Sequence, residues 1–382
     1  MPANRFFPAT CHPRLPRRQF VAASAGALAV AALGGRSARA SAAPPDASAA
    51  TQNASAAPQI IQAHATLPAD PWAVAHGLRA MGPSFTIQGG QRAVDFLLEK
   101  HLTEIAVNGR TALGFPRSVE VHANSFLKTM LEAGVPLDYR FTYQGKGRTL
   151  ADLVEGARLL FRSSQLSAPN ELPWSLIAFS RTTSPVRRRW TNAWGEPVDL
   201  DALVEGGLRD LENASAPVAV AMRAAQPMAA KAPVHGFTCG GTHMLYGLLS
   251  AVRYGFGRSD ARARVQQQTA LMLWRMGGAD VDLIDRFYRV RPRTAFNEWE
   301  HLDARLKILG HAEECVAFAT AHKVVTLSAP QPAQRAAGVQ VLKRLLDDLR
   351  QRDLAAARAQ LPQTYQQLVG DACHAQHGLT LT

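Results

Sequence analysis

The sequence predicts an all-α protein of about six helical hairpins. Three observations carry that prediction. From Pro68 onward, apolar residues recur at helical spacing almost throughout. Two kinds of helix alternate, one charged and amphipathic, the other apolar nearly all round, as an outer and an inner layer require. A block also repeats at an offset of 50 residues: Leu150-Ala151-Asp152-Leu153-Val154-Glu155-Gly156 returns as Leu200-Asp201-Ala202-Leu203-Val204-Glu205-Gly206. An interior helix glycine costs about 1 kcal/mol against alanine, so its recurrence predicts close helix–helix approach.

In chain order, residues 1–40 read as an export leader. Arg17-Arg18-Gln19-Phe20-Val21 is similar to the twin-arginine motif, with Pro16 and Ala22 departing from it. A weakly apolar run from Phe20 to Leu33 follows, and Ala38-Arg39-Ala40 closes it as a small-x-small cleavage site. The expected partner is the twin-arginine export machinery, and the expected location is periplasmic or secreted. That pathway moves folded proteins, often with a cofactor loaded. Residues 41–66 are mostly Ala, Ser, Pro, Gln and Asn and predict a disordered linker. A single helical domain over 67–382 follows.

Asp70-Pro71 starts a helix through Trp72 and His76 that stops near Gly82. Gln91 to Leu102 is amphipathic. Ser118 is expected to cap a helix through His122 and Leu131 to Gly134. Tyr139 to Tyr143, with the turn Gln144-Gly145-Lys146-Gly147, is the one expected hairpin of strands. Leu172 to Phe179 is apolar all round and therefore buried. His243 to Gly255 is apolar, Arg262 to Met276 amphipathic, Leu306 to Val325 apolar, Gln340 to Gln360 amphipathic, and Tyr365 to Leu379 carries Cys373, His374 and His377.

The inner helices centre near His76, His122, Trp174, His243, His311 and His374, at intervals of 46, 52, 69, 68 and 63 residues. Each interval fits one outer helix plus loops. Over residues 68–382 this pattern resembles the α/α toroid, the double ring of helices in prenyltransferases and triterpene cyclases, lanthionine synthetase cyclases, and several glycoside hydrolases and polysaccharide lyases. The open α-solenoid is the alternative. The aspartate-rich motif of the cyclases is absent, and Cys373-His374-Ala375 lacks the glycine of the lanthionine cyclases' Cys-His-Gly. The resemblance is one of fold and does not carry function.

The chain holds 42 Lys and Arg against 30 Asp and Glu. Residues 1–40 contain six arginines and no acid, so the remainder is only mildly basic. Nucleic acid is not an expected partner, because a binder would cluster its charge. No apolar run reaches the roughly 18–20 residues of a membrane span, so no stable insertion is expected after cleavage. Cys11 falls in the leader, which leaves Cys239, Cys315 and Cys373, an odd number. No phosphate-binding loop, Gly-x-Ser-x-Gly elbow or His-Glu-x-x-His is present.

The reactive residues concentrate between Val234 and His243, where His235, Cys239 and His243 stand four apart among glycines. Thiolate and imidazole are preferred zinc ligands. On a straight helix the outer two would lie about 12 Å apart, so a shared metal requires a glycine-bent loop. His235 and Cys239 are the candidate metal ligands, and zinc the candidate metal. If the inner helices face one another, His76, His122, His243 and His311 line one cavity, where neutral imidazoles serve as general bases. His243, His122, His311 and Tyr246 are the candidate catalytic residues, and His76, Trp174, Arg189 and Trp190 the candidate ligand-binding ones. The Arg187–Trp190 and Arg286–Arg293 segments set arginine beside aromatic rings, which suits an anionic sugar. Two functional expectations result: an exported protein whose histidine-lined pocket binds and processes a cell-envelope or extracellular compound, or an exported binding or scaffolding protein. Convergence of the histidines favours the first, dispersal the second.

Overall fold

The computed structural model describes residues 5–7, 55–163 and 170–381. The fold class is all-α. The helices are α1 (Ala57–His64), α2 (Pro71–Met81), α3 (Ala93–His101), α4 (Ser125–Glu132), α5 (Leu150–Leu160), α6 (Leu172–Thr182) and α7 (Leu200–Arg223). They continue with α8 (Thr242–Arg253), α9 (Ala261–Trp274), α10 (Asp280–Arg289), α11 (Ala295–Ala321), α12 (Gln331–Gln351), α13 (Leu354–Gln360) and α14 (Pro362–Thr380). None is long and apolar enough to cross a membrane.

The expected inner helices are α2, α4, α6, α8, α11 and α14. Each packs on the next, and α14 packs back on α2. Local chemistry explains most of their boundaries. Asp70 Oδ1 accepts the Ala73 N–H at 3.0 Å and Pro71 opens α2, which ends at Gly82 with φ of 88°. Leu172 to Ser180 of α6 are all buried. The α11–α14 contact, which sets the geometry of the centre, is close because Gly378 has no side chain. A Cβ there would lie 2.7 Å from the backbone nitrogen of Glu314.

Several expectations change. The α4 helix starts at Ser125, not Ser118. Asn124 precedes it in the left-handed region at φ of 66°, and Glu120 accepts the Asn124 and Phe126 N–H groups. Part of the expected linker is ordered, because α1 buries Ile60 and Ile61. The helix expected over Gln340 to Gln360 is two, α12 and α13.

Among the described residues, three antiparallel hairpins decorate the helices. The expected one is β3 (Arg140–Tyr143) with β4 (Lys146–Thr149). The other two are β1 (Thr103–Val107) with β2 (Arg110–Gly114), and β5 (Arg189–Thr191) with β6 (Pro197–Asp199). The β1–β2 turn is Asn108-Gly109, both with positive φ, a hairpin signal that was present in the sequence.

The repeated glycines divide. A Cβ on Gly156 would meet the Leu113 carbonyl oxygen at 2.2 Å, so the close approach is to strand β2, not to a helix; Gly206 faces open space. Gly156→Ala is therefore expected to destabilise by roughly 1–3 kcal/mol, while Gly206→Ala, inside α7 and facing open space, is expected to stabilise by up to about 1 kcal/mol. Denaturant melts of the two variants check this, and equal effects would contradict it.

Within the expected leader, Arg5–Phe7 packs against the helical unit. Phe6 is buried, its N–H donates to Tyr288 Oη at 3.2 Å, and Arg5 Nε lies 3.3 Å from Glu300. Arg17-Arg18 and Ala38-Arg39-Ala40 lie outside the described residues.

Candidate functional site

The inner helices bring their histidines to one place. His76, His122, His243, His311 and His374 line a single cavity of about 40 Å³, together with Trp72, Trp174, Cys239 and Lys128. Ring contacts run round it. His122 stacks on Trp174 at 3.7 Å, Trp174 lies 4.9 Å from His243, and His243 is 4.8 Å from His311. His311 stacks on His374 at 3.8 Å, and His374 is 5.2 Å from His76.

Two of the rings share an orientation device. The Nδ1–H of His76 donates to Trp72 O at 2.7 Å, and that of His311 to Lys307 O at 2.8 Å, each carbonyl four residues back on the same helix. His122 Nδ1 faces Glu171 at 3.3 Å. His374 Nδ1 lies 2.8 Å from both Glu314 Oε2, which can only accept, and Arg79 Nη1, which can only donate, so these two contacts assign no tautomer. Tying Nδ1 to a carbonyl, as in His76 and His311, leaves Nε2 with its lone pair, which is how metal-binding histidines are oriented. No ring nitrogen of His243 bonds a described residue. Burial disfavours the imidazolium at every one of these positions, holding His76 and His311 at about 3. His243 and His374 are driven well below their usual value by burial and by neighbouring histidines, and His122 is lowered by burial. All five rings are therefore neutral at physiological pH, the state that can accept a proton or ligate a metal.

Cys239 enters the cavity from a kinked turn between α7 and α8. Cys239, Gly240 and Gly241 take three successive positive φ values of 50°, 67° and 83°. Glycine adopts this readily; cysteine does so at a cost that usually marks a functional constraint. The turn is fixed from three sides. Asn170 Oδ1 accepts the Thr238 N–H at 2.6 Å, Thr242 Oγ1 donates to Cys239 O at 2.8 Å, and Arg275 donates to Gly240 O at 2.8 Å. The donor atoms of Cys239, His243 and His311 lie within 4.8 Å of one another, and all three residues are buried. This cluster has the composition and proximity to hold a metal ion.

His235 is the correction to the expected ligand set. Its Nε2 faces Asp280 Oδ1 at 3.2 Å and its Nδ1 faces Ala232, outside the cavity. Asp280 also accepts from Arg275 Nε at 2.9 Å. His235 thus belongs to a buried Arg–Asp–His group that anchors the Cys239 turn. His311, 72 residues beyond Cys239, takes its place.

Tyr246 lies behind the cavity. It hydrogen-bonds Glu132, its ring faces the Arg79 guanidinium at 5.0 Å, and burial raises its phenol well above the usual value. Arg189 and Trp190 are not at the centre. Arg189 pairs with Asp199 at 2.7 Å, and the Trp190 indole donates to Arg158 O at 3.0 Å. Arg291 stacks on Phe287 in a separate surface region.

The sequence reading missed the charged layer under the histidines. Arg79 Nε lies 2.6 Å from Glu132, and Arg79 Nη1 lies 2.6 Å from Glu314. Lys128 pairs with Glu132 at 2.8 Å, and Lys307 bridges Asp303 and Asp371 at 3.0 and 3.1 Å. Burial, and then the Arg79 charge, pull the Lys128 ammonium down to about 8. Charged residues on otherwise apolar inner helices were the available signal.

Glu120, buried at the start of α4, yields a pH prediction. Burial pushes its carboxyl up from 4.5 to about 7, against the two N–H groups it accepts. A raised carboxyl stabilises the fold fully below the unfolded value, and that contribution is lost as pH rises towards 7. The loss amounts to about 3 kcal/mol at most. Glu120→Gln should flatten the stability difference between pH 5 and pH 8 in denaturant melts; an unchanged profile would contradict the assignment.

Comparison with known families, characterised proteins and solved structures found no match.

Proposed function

We propose that the chain is a metalloprotein whose single transition-metal ion is held by Cys239, His243 and His311 in the central histidine-lined cavity. The observation that carries this is the proximity of the three buried donors, within 4.8 Å. A tetrahedral zinc with bonds of 2.0–2.3 Å spaces its ligands about 3.3–3.8 Å apart, so the donors fit after a contraction of about 1 Å. One thiolate and two imidazoles suit zinc, with copper the competitor for the same soft set. Three protein ligands leave a position for water, the arrangement of catalytic rather than structural zinc. A bound metal would supply an acidified water there.

The circuit of α2, α4, α6, α8, α11 and α14 supports an α/α toroid as the architecture. The leader motif supports twin-arginine export to the periplasm, a route compatible with loading the metal before transport. Convergence of five histidines favours a processing site over a scaffold. The arginine–aromatic segments stand away from the cavity, so the anionic-sugar expectation loses its support, and a small substrate with a hydrolysable or hydratable bond replaces it.

The test is metal analysis of protein recovered from the compartment to which its bacterium exports it. About one equivalent of zinc per chain is expected. A content well under one equivalent of any transition metal would remove the reading.

A further inference from the structure

A second cavity, of about 520 Å³, lies away from the metal-site donors. Its described walls come from the β1–β2 hairpin, the segment from Phe115 to Asn124, α4, α5, Phe161, Arg162, Glu171 and, from α6, Ser175. Ile105, Leu113, Phe115, Leu127, Leu153 and Phe161 supply a hydrocarbon lining. A space of this size falls within the roughly 300–1,000 Å³ of small-molecule sites.

The polar groups at one end of the cavity define the ligand. Its charges are already compensated. Arg117 holds Glu171 with two bonds of 3.0 and 3.2 Å, Arg162 pairs with Glu196, and Glu120 is spent on backbone N–H groups. Among the described lining residues each arginine thus has a carboxylate partner, and Glu120 already accepts two backbone N–H groups. Two neutral groups are only half used. Asn124 Nδ2 donates to Ser175 Oγ at 2.9 Å, which leaves the Asn124 carbonyl oxygen as an acceptor and the Ser175 hydroxyl proton as a donor.

We propose that this cavity binds an uncharged, largely hydrocarbon small molecule carrying one hydroxyl, non-basic arylamine or carbonyl group, anchored at Asn124 and Ser175. The proposal does not depend on the metal.

The test uses the full chain and two fluorophores with one skeleton, N-phenyl-1-naphthylamine and its sulfonate, 1-anilinonaphthalene-8-sulfonate. The neutral probe is expected to bind saturably at one site, and the sulfonate about tenfold or more weaker, because its charge finds no partner. Ala157→Trp and Ala123→Phe each project bulk into the cavity. Each is expected to weaken the neutral probe about tenfold or more while the far-ultraviolet circular dichroism is retained. The wild-type comparison of the two probes stands even if one filled variant fails to fold. A chelator should leave the neutral probe's affinity unchanged, which separates this site from the central one. No saturable binding, equal affinity for the sulfonate, or folded filled variants that bind as wild type would each overturn the proposal.

Discussion

Arg79→Leu is expected to destabilise the protein by about 3–5 kcal/mol, the usual consequence of removing one partner from a buried ion pair. Arg79, Glu132 and Glu314 are all nearly inaccessible to solvent, and Arg79 lies 2.6 Å from each carboxylate. Without the guanidinium, two anions stay in the interior. Lys128 still faces Glu132, and His377 still faces Glu314 at 2.7 Å, but neither replaces the lost charge on both sides. At about 2–4 °C per kcal/mol, the melting temperature should fall by roughly 10 °C. The effect has a pH signature. Burial alone would raise the Glu132 carboxyl, yet Arg79 and Lys128 hold it at about 2. A lowered carboxyl contributes stability above its unfolded value of 4.5, which is lost as pH falls. The deficit of the variant should therefore be full at pH 7 and narrow below pH 4. A deficit independent of pH would mean that packing, not charge, supplies the effect.

His243→Asn is expected to leave the fold nearly as stable as wild type while weakening zinc binding by more than the ~10–100-fold that losing an outer partner costs. No ring nitrogen of His243 bonds a described residue, so its removal orphans no hydrogen bond among them. The replacement keeps a polar group facing the cavity. Melting within about 1 kcal/mol of wild type, together with loss of zinc from a competition titration, would assign the residue to the metal. Strong destabilisation with zinc affinity retained would assign it to structure.

The centre was legible because its signal is periodic. A histidine on or beside five of the six inner helices, with Trp174 on the sixth, at intervals that fit a helical hairpin, lets those rings meet if the helices do, and the packing of α2, α4, α6, α8, α11 and α14 brings them together. The Cys239 turn was legible from Gly240 and Gly241, which bend the chain as a shared ligand set needs. His235 misled because spacing along the chain says nothing of Asp280, 45 residues on, which claims its ring. His311 could not be paired with Cys239 from sequence, since the contact of α8 with α11 is tertiary. Arg189 and Trp190 carried the right chemistry in the wrong place, on a surface hairpin. Arg79, Lys128 and Lys307 are charges within largely apolar helices, and the sequence near Arg79 names no partner for it. Only the carboxylates of α4, α11 and α14 opposite them explain why they are buried. The Asn108-Gly109 turn was a readable hairpin signal set among helical periodicity.

The central claim is that Cys239, His243 and His311 share one metal ion. Anomalous diffraction at the zinc absorption edge, from crystals of the zinc-loaded full chain, tests it most directly. One anomalous peak is predicted, bonded to Cys239 Sγ and to one ring nitrogen each of His243 and His311, with the three donors drawn from 4.8 Å to about 3.3–3.8 Å apart. A zinc peak elsewhere, or none within bonding distance of these three side chains, would contradict the account.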